Sequence, residues 1–114
     1  MIIGIGIDLV DLKKFAKVAE KANFLDKYFS PDEAILKIES LAARYAAREA
    51  FFKALTEQKL FNWNDISVVS NNVGKPTFRF RNKLLEYAVD KQINLSLSHT
   101  EKSAIAMVII QDHS

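Results

Sequence analysis

Between residues 40 and 55 alanine stands at positions 42, 43, 46, 47, 50 and 54, and this run constrains the fold more than any other. On a helix Ala43, Ala47, Ala50 and Ala54 share one face, with nothing beyond Cβ to hold a neighbour away. Leu41, Tyr45 and Phe52 form a second apolar face. A helix that is apolar round most of its circumference must be largely buried, with a strand or helix close against its alanines. Yet the same stretch carries Arg44, Arg48, Glu49 and Lys53. Charges on a buried helix have to be paired or engaged with a ligand.

The elements around this helix follow from local pattern. Ile2, Ile3, Ile5 and Ile7, with Gly4 and Gly6 between them, predict a strand buried on at least one face, whose glycines permit close approach. That strand is expected to end at Asp8, with the carboxylate at its tip. The run lacks a basic leader and is too short to span a bilayer, so a signal peptide or membrane segment is not expected. Residues 11–22 predict a helix with Lys13, Lys14, Lys17 and Lys21 on one arc and Leu12, Phe15, Ala19 and Ala22 on the other. At residues 29–36 a helix start is marked by Ser30 as N-cap, Pro31 at the first helical position and Glu33 closing a capping box. Strands over 66–70 and 77–80 flank a turn at 71–76. A short helix over 82–91 and strands over 95–98 and 104–110 complete the chain. This order predicts an α+β fold, a single domain over residues 1–114 with a mainly antiparallel sheet packed on the long helix.

The bulk numbers set limits on function. A net charge of +2 is mildly basic. It fits an anionic substrate or an acidic partner better than nucleic acid, whose binders concentrate Lys and Arg more heavily. The chain has no cysteine, which excludes a disulfide scaffold and thiolate metal ligation and fits a reducing cytoplasm. A zinc site is disfavoured, since the only histidine besides His99 is His113.

Asp8 and Glu49 each lie in an apolar stretch, where an unpaired carboxylate is costly. Two carboxylates with waters and phosphate oxygens make a common magnesium site. Pairing of each with a nearby Arg or Lys is the plainer reading, and spacing alone favours it. Glu49 and Lys53 are four residues apart and share a helix face, as a surface ion pair or as a metal ligand beside a phosphate-binding lysine. Arg44 and Arg48 can grip phosphates through forked hydrogen bonds or form a solvated edge. Lys75, in the turn Gly74-Lys75-Pro76, and the run Ser98-His99-Thr100 can each contact phosphate or simply stabilise a turn. The lysine arc can dock an acidic helix or be merely solvated. A non-enzymatic module binding an anionic ligand or acidic protein is the main alternative to an enzyme. A magnesium-dependent nucleotide hydrolase is another, though no G-x-x-x-x-G-K-[ST] loop is present.

Taken in order, Gly4-Ile5-Gly6-Ile7-Asp8, Phe29-Ser30-Pro31-Asp32-Glu33, the run from Leu41 to Ala54, Gly74-Lys75-Pro76 and Leu97-Ser98-His99-Thr100 resemble the holo-acyl-carrier-protein synthase family, the small phosphopantetheinyl transferases. The resemblance runs along nearly the whole chain. It implies an enzyme of fatty acid biosynthesis that cleaves coenzyme A at its diphosphate and attaches the phosphopantetheine arm to a serine of acyl carrier protein, releasing adenosine 3′,5′-bisphosphate. By position it implies magnesium on Asp8 and Glu49, with Glu49 ordering the water or helping the base that deprotonates the serine. It further implies Lys53 on the diphosphate, and Arg44, Lys75, His99 and Thr100 on the phosphates of coenzyme A. Gly74 and Pro76 would shape the nucleotide pocket, and the helix of Lys13, Lys14, Lys17 and Lys21 would dock the carrier. Members of this family form trimers with active sites between subunits. Arg48 stands where the family usually has lysine, Lys14 where it often has arginine, and the stretch between Glu33 and Leu41 is shorter than in many relatives.

Overall fold

The computed structural model describes residues 1–113; Ser114, the last residue of the expected domain, lies outside them. The elements run β1 (Ile2–Asp11), α1 (Leu12–Ala19), α2 (Phe24–Tyr28), α3 (Pro31–Ala34), α4 (Ile38–Ala54), β2 (Ile66–Ser70), β3 (Pro76–Phe80), α5 (Asn82–Ala88), β4 (Lys91–His99) and β5 (Ser103–Asp112). Two single 3-10 turns, Gln58–Leu60 and Trp63–Asp65, join α4 to β2.

Helix α4 is the axis of the molecule. It packs across β1 and β5 of an antiparallel sheet ordered β1-β5-β4, and its other side meets the β2–β3 hairpin. Leu41, Ala42, Ala43, Ala46, Ala47, Ala50, Phe51 and Ala54 are all buried, as the alanine pattern requires. The approach of β1 to α4 is close enough that a Cβ on Gly4 would overlap the carbonyl oxygen of Ala54, and one on Gly6 that of Ala50. Strand and helix are therefore in main-chain contact, which no residue but glycine allows at those two positions.

Strand β1 does not end at Asp8. It pairs with β5 as far as Asp11 opposite Ser103, which leaves Asp8 in mid-strand opposite Ala106. Gly4, Gly6, Asp8 and Val10 alternate toward α4, while Ile5, Ile7 and Leu9 point outward and are more than half exposed. Helix α1 is shorter than its lysine arc predicts. Asp11 caps it by accepting from the Lys14 amide at 2.9 Å, and it closes at Glu20, whose amide donates to Val18. Lys21 and Ala22 thus lie beyond it, and Asn23, at φ 66°, turns the chain into the unexpected α2. The capping box at Ser30 and Glu33 is present. Helix α5 stops at Ala88 because Lys91 already pairs with Asp112 in the longer β4, which carries His99 as its last residue. The β2–β3 hairpin forms a separate two-stranded sheet with Ser70 opposite Pro76, so β3 starts one residue earlier than expected and takes Pro76 from the turn. No helix among the described residues is long and apolar enough to cross a membrane.

Candidate active site

Asp8, at the middle of β1, and Glu49, on α4, come together in one cavity of about 350 Å³. Leu9, Val10, Phe15, Val18, Phe24 and Tyr45 give it an apolar wall, and Lys14 stands at its side. The ring of Tyr45 is fixed from behind by Phe15, Tyr28 and Trp63, and the indole of Trp63 donates to the Tyr28 carbonyl at 2.6 Å. Asp8 does have a cationic partner. Lys53 Nζ lies 3.0 Å from its carboxylate and 3.1 Å from the Ile7 carbonyl. The pair expected from i, i+4 spacing, Glu49 with Lys53, gives way to this one, because β1 runs directly over the last turns of α4.

Glu49 has no ion pair or hydrogen bond among the described residues. Burial first, and then the neighbouring Asp8, push its carboxyl above the usual range, with Lys53 opposing them. Burial likewise raises the phenol of Tyr45, helped by Glu49. Three carboxylates, Asp8, Asp11 and Glu49, against two lysines, Lys14 on the wall and Lys53 on Asp8, leave this cavity one positive charge short. That suits a hard divalent cation with open coordination positions. Asp8 and Glu49 are the side chains here that could hold such an ion. Among the described residues there is no group of three or more His, Cys, Asp and Glu of the kind that cages an ion without help from substrate.

The remaining expected residues do not share this cavity. Arg44 faces the other side of α4, 3.7 Å from Glu33, in a groove between α3 and the β2–β3 hairpin. Burial lowers the proton affinity of its guanidinium, Glu33 opposes that, and Arg48 adds to it. Gly74 and Lys75 are exposed in the turn of the hairpin with Pro76 opening β3. Gly74 adopts φ 79°, and the Asn71 side chain accepts from the amides of Val73 and Lys75. His99 and Thr100 border a shallow pocket with Leu9 and Ile105 on the outer face of the sheet, away from Asp8. Thr100 Oγ1 accepts from the Lys102 and Ser103 amides, so it also holds its own turn.

Arg48 is neither a phosphate grip nor a solvated edge. It is 1% exposed, donates to Glu33 at 2.5 Å and to the Ile66 carbonyl at 3.1 Å, and lies against Phe29 and Trp63. Glu33, read from sequence only as a cap, also accepts from the Val68 amide and so ties α3, α4 and β2 together. Tyr45, read as core, lines the carboxylate cavity. Its position four residues before Glu49 was the available signal.

The chain that folds a glycine-seated strand over an alanine-faced helix belongs to the 4′-phosphopantetheinyl transferase superfamily, whose family model, ACPS, matches residues 4–108. Within that superfamily the chain belongs to the holo-[acyl-carrier-protein] synthases. The synthase of Clavibacter michiganensis is 39% identical over 115 residues, covering 97% of each chain. That of Leifsonia xyli is 37% identical over 118 residues, covering 100% of each. The Bacillus anthracis synthase, solved in complex with CoA (3′,5′-ADP), superposes with a TM-score of 0.82 at 30% identity over 98% of each chain. The acyl carrier protein synthase of Mycobacterium tuberculosis does so with a TM-score of 0.78 at 34% identity, over 98% of this chain and 99% of that one.

Proposed function

We propose that this chain transfers 4′-phosphopantetheine from coenzyme A to a serine of acyl carrier protein, with Asp8, Glu49 and Lys53 at the reacting phosphates. The observation that carries the reading is the half-buried Glu49, unpaired and beside Asp8 in an open cavity. A carboxylate left so in a folded protein calls for a cation.

Asp8 and Glu49 would hold a magnesium ion, which when bound polarises the diphosphate and stabilises the leaving phosphate. Lys53, half exposed on a flexible stem, can move its ammonium from Asp8 to the phosphate oxygens and offset their charge. Glu49, facing the cavity, is placed to order the water or help the base that takes the serine proton. Lys14 beside the cavity, with exposed Lys13, Lys17 and Lys21, gives a carrier protein of acidic surface a complementary approach to the carboxylates.

Arg44, Gly74, Lys75, Pro76, His99 and Thr100 are assigned to the coenzyme A phosphates and nucleotide pocket across an interface between copies of the chain, as a homotrimer. The outer face of the sheet supports this. Ile5, Ile7, Leu9 and Met107 are exposed there, an apolar surface of the kind that assemblies cover, and it adjoins His99 and Thr100.

The test is the intact mass of an apo-acyl carrier protein after incubation with this chain and coenzyme A. A gain of one phosphopantetheine that requires magnesium is expected. No gain with folded protein would overturn the reading.

A further inference from the structure

Helix α2 is weakly founded. It has five residues, no buried side chain and no side-chain cap, and its entry depends on the left-handed Asn23. A helix this short has no stability of its own and is held by what it touches. Its amide bonds, from Lys27 to the Asn23 carbonyl and from Phe29 to that of Leu25, stay within the segment. Yet Phe24, its first residue, forms part of the wall of the carboxylate cavity.

Among the described residues, one hydrogen bond ties α2 to a distant part of the chain. The indole N–H of Trp63, in the link between α4 and β2, donates at 2.6 Å to the carbonyl of Tyr28, 35 positions away. That carbonyl belongs to the last turn of α2, where a helix leaves its acceptors unpaired. The rings repeat the tie. Tyr28 meets Trp63 edge-on at 4.9 Å and Tyr45 edge-on at 6.1 Å, and it lies 4.8 Å from Phe24. Trp63 itself rests on Tyr45 at 5.1 Å. Its own seat is firm, since the guanidinium of the sealed Arg48 lies 5.7 Å from its ring and Phe61 5.8 Å. Phe24 and Tyr45 thus owe their outer support to a ring that does not line the cavity.

We propose that Trp63 is a positioning residue for the acceptor side of the reaction. Its indole N–H latches α2, and the latched α2 sets the aromatic wall against which the carrier segment bearing the serine comes to rest. The wall is apolar and stands beside Lys14 of α1, so it suits a protein surface, whereas the charge of the diphosphate belongs at the carboxylates and their cation. The inference rests on the reading of acyl carrier protein as the acceptor.

Trp63 is the only tryptophan of the chain, so β-(3-benzothienyl)alanine can replace it alone, keeping the bicyclic shape and putting sulfur where the donor stood. In hydrogen exchange on the full chain, the Lys27 and Phe29 amides of this variant are expected to exchange about tenfold faster, as befits the loss of one hydrogen bond, with the amides of α4 unchanged. In turnover, KM for the carrier is expected to rise about fivefold, with kcat and KM for coenzyme A within about twofold of wild type. Trp63→Phe, which also lacks the donor, should show the same split. A ring that only fills space would leave KM for the carrier where it is, because the analogue fills the same space. Unchanged exchange in α2 overturns the latch. Faster exchange with the two KM values moving together, or not at all, overturns the positioning role. Exchange is read without turnover, so a latched chain that transfers nothing to the carrier would count against the reaction and leave the latch standing.

Discussion

Helix α4 carries two ionic clusters that differ in almost every respect. On the side facing β1, Asp8, Glu49 and Lys53 sum to one negative charge, lie beside an open cavity and leave Glu49 unpaired. On the opposite side Glu33, Arg44 and Arg48 sum to one positive charge, and the Glu33–Arg48 pair is sealed from solvent. An open cluster short of a cation is built to exchange ligands. A sealed pair is built to hold elements together, since separating it would strand a charge in low dielectric. On the proposed function, the same residue types at similar spacing serve chemistry in one place and scaffold in the other, and access decides which.

The comparison breaks most visibly at Glu49. Glu49→Ala or Asp8→Ala is expected to slow phosphopantetheine transfer by about a thousandfold, the several kcal/mol a bound metal contributes, with far-UV circular dichroism unchanged. Transfer within tenfold of wild type at limiting magnesium would place the metal elsewhere. The scaffold cluster should respond the other way round. Arg48→Ala is expected to cost about 3 kcal/mol in urea unfolding by leaving the buried Glu33 only the more distant Arg44 as counter-charge. The double change Glu33→Gln, Arg48→Met should cost less than the sum of its single changes, and strict additivity would show that the two are uncoupled.

A smaller effect probes the approach to the open cluster. Lys14→Glu with Lys17→Glu is expected to raise KM for the carrier protein about tenfold while leaving that for coenzyme A alone. A matching rise in both would argue against a docking face. The smallest effect is thermal. Glu49 has its carboxyl raised, so between the ordinary glutamate range and its folded-state range the native chain binds more protons than the unfolded one, and stability falls as pH rises through that window. Without magnesium, Glu49→Gln should therefore melt a few degrees above wild type near pH 8, and the gap should narrow near pH 4. A gap of the same size at both would mean that Glu49 titrates normally.

Much of this was legible in the sequence where the signal was local. The alanines of α4, the Ser30 capping box and the hairpin turn each follow from residues within a few positions of one another. Helix α2 escaped because its start depends on the left-handed Asn23, which a pattern of apolar spacing does not register. The end of β1 was misplaced because outward-facing Ile5, Ile7 and Leu9 are as apolar as a core row. The first charge therefore looked like a boundary, when it was the next inward position. Glu33 was half read. Its capping bond spans three residues, whereas its partner Arg48 lies fifteen residues further on and leaves no mark near it. Asp8 and Glu49 were singled out by apolar surroundings, but only the crossing of β1 over α4 puts them in one cavity.

The two glycines of β1 have a consequence for how such an enzyme can change over time. Because Gly4 and Gly6 rest on the carbonyls of Ala54 and Ala50, the gap between strand and helix is gauged by main chain, which every sequence shares. Core side chains elsewhere can be exchanged for larger or smaller ones without altering that gauge. The two carboxylates can thus keep their spacing across lineages whose interiors have little else in common, provided that those two positions never acquire a side chain.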